Sequence, residues 1–174
     1  MTLTAAELTV LGLLVEEPRH GYDLERVIER RGIRRWTDIG FSSIYYLLGK
    51  LEGRGLAAAA EDHAGAAKSR RVFRATDEGR RVAAEQTLTF VREASPVPHP
   101  FLVGLANLPL IPAGVYDEAL RSRLAQIEAR IDDVVQAERA QAPLPPAARE
   151  VFSYSLSLLE AERSWLLERV EVPA

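Results

Sequence analysis

Apolar residues recur at a helical period over most of this chain. Thr4 and Glu7 have the spacing of a capping box. Leu8, Leu11, Leu14 and Val15 follow on one face, which predicts a helix over residues 4–15. Pro18 and Gly21 interrupt the pattern. A second helix is expected over 22–31, with Leu24, Val27 and Ile28 inward and Gly32 as its stop. The linker 33–40 carries Trp36. Ser42 or Ser43 can cap a third helix, in which Ile44, Leu47, Leu48 and Leu51 fall at i, i+3, i+4 and i+7. Gly53 and Gly55 close it. Three short helices joined by tight turns make a trihelical core.

The period then changes. Residues 56–62 read Leu-Ala-Ala-Ala-Ala-Glu-Asp, and alanine alone favours helix. Yet Gly55 and Gly65 bound the run, and a Val72-Phe73 pair with charges beside it follows. The reading is a β-hairpin, two strands around a loop of about six residues. Thr76 caps a fourth helix that runs to Ala94, with Asp77 and Glu78 in its first turn. Ser-Pro-Val-Pro-His-Pro, residues 95–100, is a stiff extended linker.

Beyond it, Phe101 to Leu108 reads as a short buried helix, and Pro109 and Pro112 bracket a turn. A long helix over 113–140 carries Leu120, Leu124, Ile127, Ile131 and Val134, a two-residue-per-heptad seam. Pro143, Pro145 and Pro146 break the chain. A last helix over 147–170 has Phe152, Leu156, Leu159, Leu166 and Val170 on one stripe, and Tyr154, Leu158, Ala161 and Trp165 on a second. Such a seam must be buried against something. Leu120, Leu124, Ile127, Ile131, Leu156, Leu159 and Leu166 are therefore the expected dimerisation residues. The expected organisation is a mostly α protein: a helical module with a hairpin at 1–94, a Pro-rich linker and short helix at 95–112, and a C-terminal helical dimerisation domain at 113–174.

Composition narrows the chemistry. Of 174 residues, 47% are hydrophobic and 27% charged, which fits a folded protein. With no cysteine, disulfides, thiolate metal sites and cysteine nucleophiles are excluded. No apolar run approaches the ~20 residues of a membrane span, and the N-terminus lacks the basic region of a signal peptide. A cytoplasmic protein without membrane contact is expected. The net charge is −3, but it is uneven. Residues 19–81 hold 14 basic against 9 acidic side chains, and residues 93–174 hold 7 against 12. That asymmetry suggests a nucleic-acid face on the first module alone.

The third helix offers such a face. With its apolar stripe down, Ser42, Tyr46, Gly49 and Gly53 project upward, flanked by Ser43 and Lys50 on one shoulder and Tyr45 on the other. Small residues allow close approach to a duplex, and hydroxyls and a lysine can reach phosphates or base edges. The hairpin adds Lys68, Arg70, Arg71 and Arg74 with no acid among them. Helix, helix, recognition helix and basic hairpin is the order of a winged helix-turn-helix. The competing reading is an adaptor that binds protein and no DNA.

No catalytic or metal site emerges. His20, His63 and His99 lack partners at metal-ligand spacing, and there is no phosphate loop or nucleophile elbow. Asp132, Asp133, Glu160 and Glu162 fit solvated helix faces. Trp36, Phe101, Phe152, Tyr154 and Trp165 are the candidates to line an apolar effector pocket between the module and the C-terminal helices.

The motifs also resemble a known family. His20-Gly-Tyr-Asp-Leu, then Ser43-Ile-Tyr45 with Leu48, Leu51-Glu52 and Gly55-Leu56, then Arg70-Arg-Val-Phe-Arg-Ala-Thr-Asp-Glu-Gly79, are similar to the PadR family of bacterial transcriptional regulators. The match spans residues 5–81 in order. The resemblance implies a homodimer on a palindromic operator, and repression relieved by a small phenolic or hydrophobic molecule, with no cofactor. It places Tyr22 near the phosphate backbone, Ser43, Tyr45 and Lys50 on the DNA side of the recognition helix, and Lys68, Arg70 and Arg71 in the wing. The chain departs from the family pattern at Ser42 (usually glycine), at Tyr46 (usually proline) and at the wing tip, Ala66-Ala-Lys-Ser.

Overall fold

The computed structural model describes residues 2–40, 43–59, 71–94, 96–112 and 114–170. It divides into two compact units, Met1–Pro96 and Val97–Ala174. The first is a winged helix-turn-helix: α1 (Ala5–Glu16), β1 (Arg19–His20), α2 (Gly21–Arg30), α3 (Ser43–Gly53), β2 (Ala57–Ala59), β3 (Val72–Ala75) and α4 (Asp77–Arg92). The second is helical: α5 (Pro100–Ala106), α6 (Val115–Ala140) and α7 (Pro146–Val170).

The capping box at the start of α1 is complete. Thr4 Oγ1 accepts from the Glu7 N–H at 3.2 Å, and Glu7 Oε2 accepts from the Thr4 N–H at 2.8 Å. α1 is more central than its single predicted stripe. Val10, Leu11, Leu13 and Leu14 are all buried, while Leu8 and Val15 only flank the core. The reason is that α1 is packed on several sides, by α3, α4 and β3. α2 and α3 bury the residues their spacing predicts: Leu24, Val27 and Ile28, and Ile44, Leu47, Leu48 and Leu51. Gly55 has φ +69°, a left-handed conformation that lets the chain leave α3 while the Leu56 N–H donates back to the Leu51 carbonyl at 2.9 Å.

The sheet has three strands in the order β1-β3-β2, not the two of a bare hairpin. β3 is central, with Phe73 opposite Arg19 on one side and Ala59 on the other. The strand β1 is only two residues long, too short to carry a period-two signal. It exists because the second edge of β3 offers unpaired backbone groups. The hairpin tip, with His63, Ala66, Lys68 and Arg70, lies outside the described residues.

In the second unit α6 and α7 pack together, burying Leu120, Ile127, Leu159 and Leu166, with Leu124, Ile131, Val134, Trp165 and Val170 against them. Arg123 pairs with Glu162 at 2.5 Å and Arg163 with Glu128 at 3.3 Å across the two helices. The heptad seam of α6 is therefore covered by α7 of the same chain. Phe101 to Leu108 is not the buried helix its sequence predicts. α5 buries no residue, because only its first aromatic, Phe101, reaches the α6/α7 cluster.

Candidate nucleic-acid interface

The described residues of α3 that face solvent are Tyr45, Tyr46, Gly49, Lys50 and Gly53. Their apolar partners at 44, 47, 48 and 51 hold the opposite side in the core. Tyr46 is 69% exposed, against 42% for Tyr45. A Cβ added at Gly49 or Gly53 would meet nothing within 4 Å, so this face has a low floor on which a groove edge can sit. None of the five is an arginine, asparagine or glutamine, the usual bidentate readers of guanine and adenine.

Ser42 lies outside the described residues. The Ser43 hydroxyl donates to the Gly40 carbonyl at 2.7 Å, which ties it to the turn and leaves its lone pairs to accept. Tyr45 leans toward α2, its ring against Gly21. Tyr22 is exposed on α2; its hydroxyl accepts from Arg26 at 2.7 Å, and the Arg26 guanidinium lies 5.4 Å from the ring centroid. Tyr22, Arg26 and Tyr45 thus bring phenol and guanidinium groups to the α2–α3 side of the module. Arg26 was not evident from periodicity, since an exposed arginine at i+4 from a tyrosine is common.

Lys50 is in the predicted place but is not free. Its ammonium is 2.8 Å from Glu7 Oε1, and Arg54 reaches the same oxygen at 3.2 Å. Glu7 is 1% exposed. Burial pushes its carboxyl up, but the Lys50 hydrogen bond, the Thr4 N–H and the charges of Lys50 and Arg54 outweigh that, and the net shift is downward. The same contact raises the Lys50 ammonium. Sequence spacing shows the capping role of Glu7 and gives no hint of its ion partners.

On the wing, Arg74 is exposed and Phe73, beside it on β3, is buried. Arg71 is held: it pairs with Glu52 at 2.5 Å and its guanidinium lies 5.2 Å from the Phe73 ring centroid. Glu52, on α3, thereby links the recognition helix to the wing. Lys68 and Arg70 lie outside the described residues.

The aromatic residues predicted to bind an effector are divided between the two units. Trp36 is in the first unit, 52% exposed, after a 3-10 turn at Ile33–Arg35. Phe101 and Trp165 meet edge to face with centroids 5.6 Å apart. Arg123 stacks on Phe101 at 3.8 Å and Arg169 on Trp165 at 3.7 Å. Tyr154 is exposed, and Phe152 is nearly four turns from Trp165 on α7, roughly 20 Å along the axis.

Residues 10–85 match the Transcriptional regulator PadR-like family. No curated protein matches the chain. Among solved structures it is similar to Bacillus subtilis PadR in complex with operator DNA, at 18% identity over 96% of this chain and 98% of that one, with a TM-score of 0.75. The same protein in complex with p-coumaric acid matches with a TM-score of 0.78, again at 18% identity, over 96% and 97% of the chains. The Vibrio cholerae virulence activator AphA matches at 17% identity over 95% and 96%, with a TM-score of 0.72.

Proposed function

Because residues 10–85 belong to the Transcriptional regulator PadR-like family, we propose that this protein is a DNA-binding transcriptional regulator, a cytoplasmic homodimeric repressor released by a small hydrophobic or phenolic effector. The observation that carries the reading is the exposed face of α3. It is small, aromatic and without acid; its Tyr45 rests against the start of α2, the helix that carries Tyr22 and Arg26. Ser42, Ser43, Tyr45 and Tyr46 would meet the major groove, with Lys68, Arg70 and Arg71 along the backbone. Tyr46, at the family's proline position, is our candidate for a base preference particular to this chain. The effector class rests on the solved relative in complex with p-coumaric acid. The direction of regulation is a proposal too, since another relative is an activator.

Selecting bound fragments from the source genome tests the reading. The expected result is nanomolar binding to a palindromic site, with affinity falling steeply as salt rises, and release by phenolic acids in the same assay. Tyr45→Ala, and Arg70 with Arg71→Ala, should each weaken binding by about tenfold or more with an unchanged circular dichroism spectrum. A protein-binding adaptor would show no salt-sensitive operator affinity at all.

Part of the α6 seam is occupied by α7 of the same chain, and α7 offers the dimer a further surface. Val151, Tyr154 and Leu158 lie at i, i+3 and i+7 on α7, all exposed. One recognition helix reads only a few base pairs, so nanomolar specificity calls for a second copy, and this stripe is where we place it. Leu158→Glu with Tyr154→Ser should convert the dimer to a monomer by analytical ultracentrifugation. A dimer of undiminished affinity in that variant would refute the placement.

A further inference from the structure

Gly21 is buried at the first position of α2. Its φ lies outside the left-handed region, where among the described glycines only Gly32, Gly55 and Gly114 fall. Backbone freedom is therefore not the reason for glycine here. Space is. A Cβ at this position would stand 2.6 Å from Tyr45 Cε1, 3.0 Å from Cζ and 3.2 Å from Cδ1. One edge of the Tyr45 ring lies where a side chain would begin. The three nearest atoms all belong to this ring.

The tyrosine is not core. It is 42% exposed, on the face of α3 that looks away from Ile44, Leu47, Leu48 and Leu51. Its hydroxyl, bonded to Cζ, sits beside the first turn of α2. A free tyrosine on a helix surface samples several rotamers, and ordering it on binding costs conformational entropy. A ring already seated avoids that loss.

We propose that Gly21 is a positioning residue for operator recognition: its missing Cβ seats the Tyr45 ring against α2 and sets where the phenol meets DNA. This rests on the DNA-binding reading. Gly21→Ala does not clash with backbone, only with the far end of a side chain that can swing away. The variant therefore folds. Alanine is the better helix former and narrows the unfolded chain, so thermal stability should stay level or rise. Operator affinity should nonetheless fall about tenfold.

The decisive experiment is a double-mutant cycle with Tyr45→Ala, read as operator affinity and as melting temperature. In the Tyr45→Ala background the Gly21→Ala change should alter affinity by less than about twofold, because the ring it displaces is gone. In the wild-type background the melting temperature should not follow affinity down. Gly21→Ala with full affinity, or an equal loss in both backgrounds, overturns the role. So does the absence of a ring-current shift on the Gly21 α-protons that Tyr45→Ala abolishes. A wild-type protein without DNA affinity would instead overturn the functional reading, and the positioning role with it.

Discussion

Replacing Gly79 by alanine is expected to lower the unfolding free energy by about 3 kcal/mol or more. Gly79 is in the first turn of α4 and buried. A Cβ there would stand 2.0 Å from the Leu56 carbonyl oxygen and 2.9 Å from its carbon, with Leu11 Cδ1 at 3.3 Å. The obstacle is backbone, and backbone already in use. The Leu56 carbonyl accepts from the Thr76 N–H at 3.0 Å. Thr76 Oγ1 accepts from the Gly79 N–H at 2.9 Å and donates to the Gly55 carbonyl at 2.7 Å. To admit a methyl group, α4 must retreat from the α3–β2 turn and break the bonds from Thr76 to the Leu56 and Gly55 carbonyls. Denaturant unfolding followed by circular dichroism measures the loss. Gly49→Ala is the control: nothing lies within 4 Å, and an exposed mid-helix glycine gives way to alanine with a gain of about 0.5–1 kcal/mol. If Gly79→Ala behaves like Gly49→Ala, the close approach of α4 to Leu56 is wrong.

Glu7→Ala should destabilise by about 3 kcal/mol at neutral pH. It removes the acceptor for the Thr4 N–H and leaves Lys50 and Arg54 without their shared carboxylate. The guanidinium of Arg54 is mostly buried and keeps only its bond to the Thr2 carbonyl at 3.1 Å. Lys50, half in water, contributes less. Glu7→Gln retains a capping acceptor and isolates the charge. The Glu7 carboxyl titrates lower in the folded protein than in the unfolded chain. Its contribution is thus full above the unfolded value of about 4.3, and it is lost as pH falls through the folded value. The gap in stability between the native protein and Glu7→Gln should be constant from neutral pH down to about pH 5 and close below pH 4. Glu16, lowered first by its hydrogen bond with Arg31, titrates in the same window but is present in both proteins, so it drops out of the difference. A gap that does not change with acid would mean that Glu7 carries no charge-dependent stabilisation.

Much of the winged-helix unit was legible along the chain. The capping box at Thr4 and Glu7, the cap at Thr76, the stops at Gly32 and Gly55, and the apolar stripes of α2 and α3 are all written within four residues of the groups they serve. What failed to show was whatever depends on a distant partner. β1 needs the free edge of β3, more than fifty residues away. The α6 seam reads as a contact with another chain, and only the packing of α6 on α7 shows that Leu120 and Ile127 are buried within this one.

The sequence by itself determined the order of elements, their caps, and the side of α3 that points away from the core, because backbone hydrogen bonds and the helical period act over three or four residues. The tertiary structure decided which of the exposed groups are at liberty. Lys50 is engaged by a carboxylate on α1, Arg71 by Glu52, and Tyr45 by a gap at Gly21. Arg54, 47 residues from Glu7, shares that carboxylate with Lys50. An ion pair or a ring contact forms between elements brought together by the core, and nothing local announces which partner will arrive.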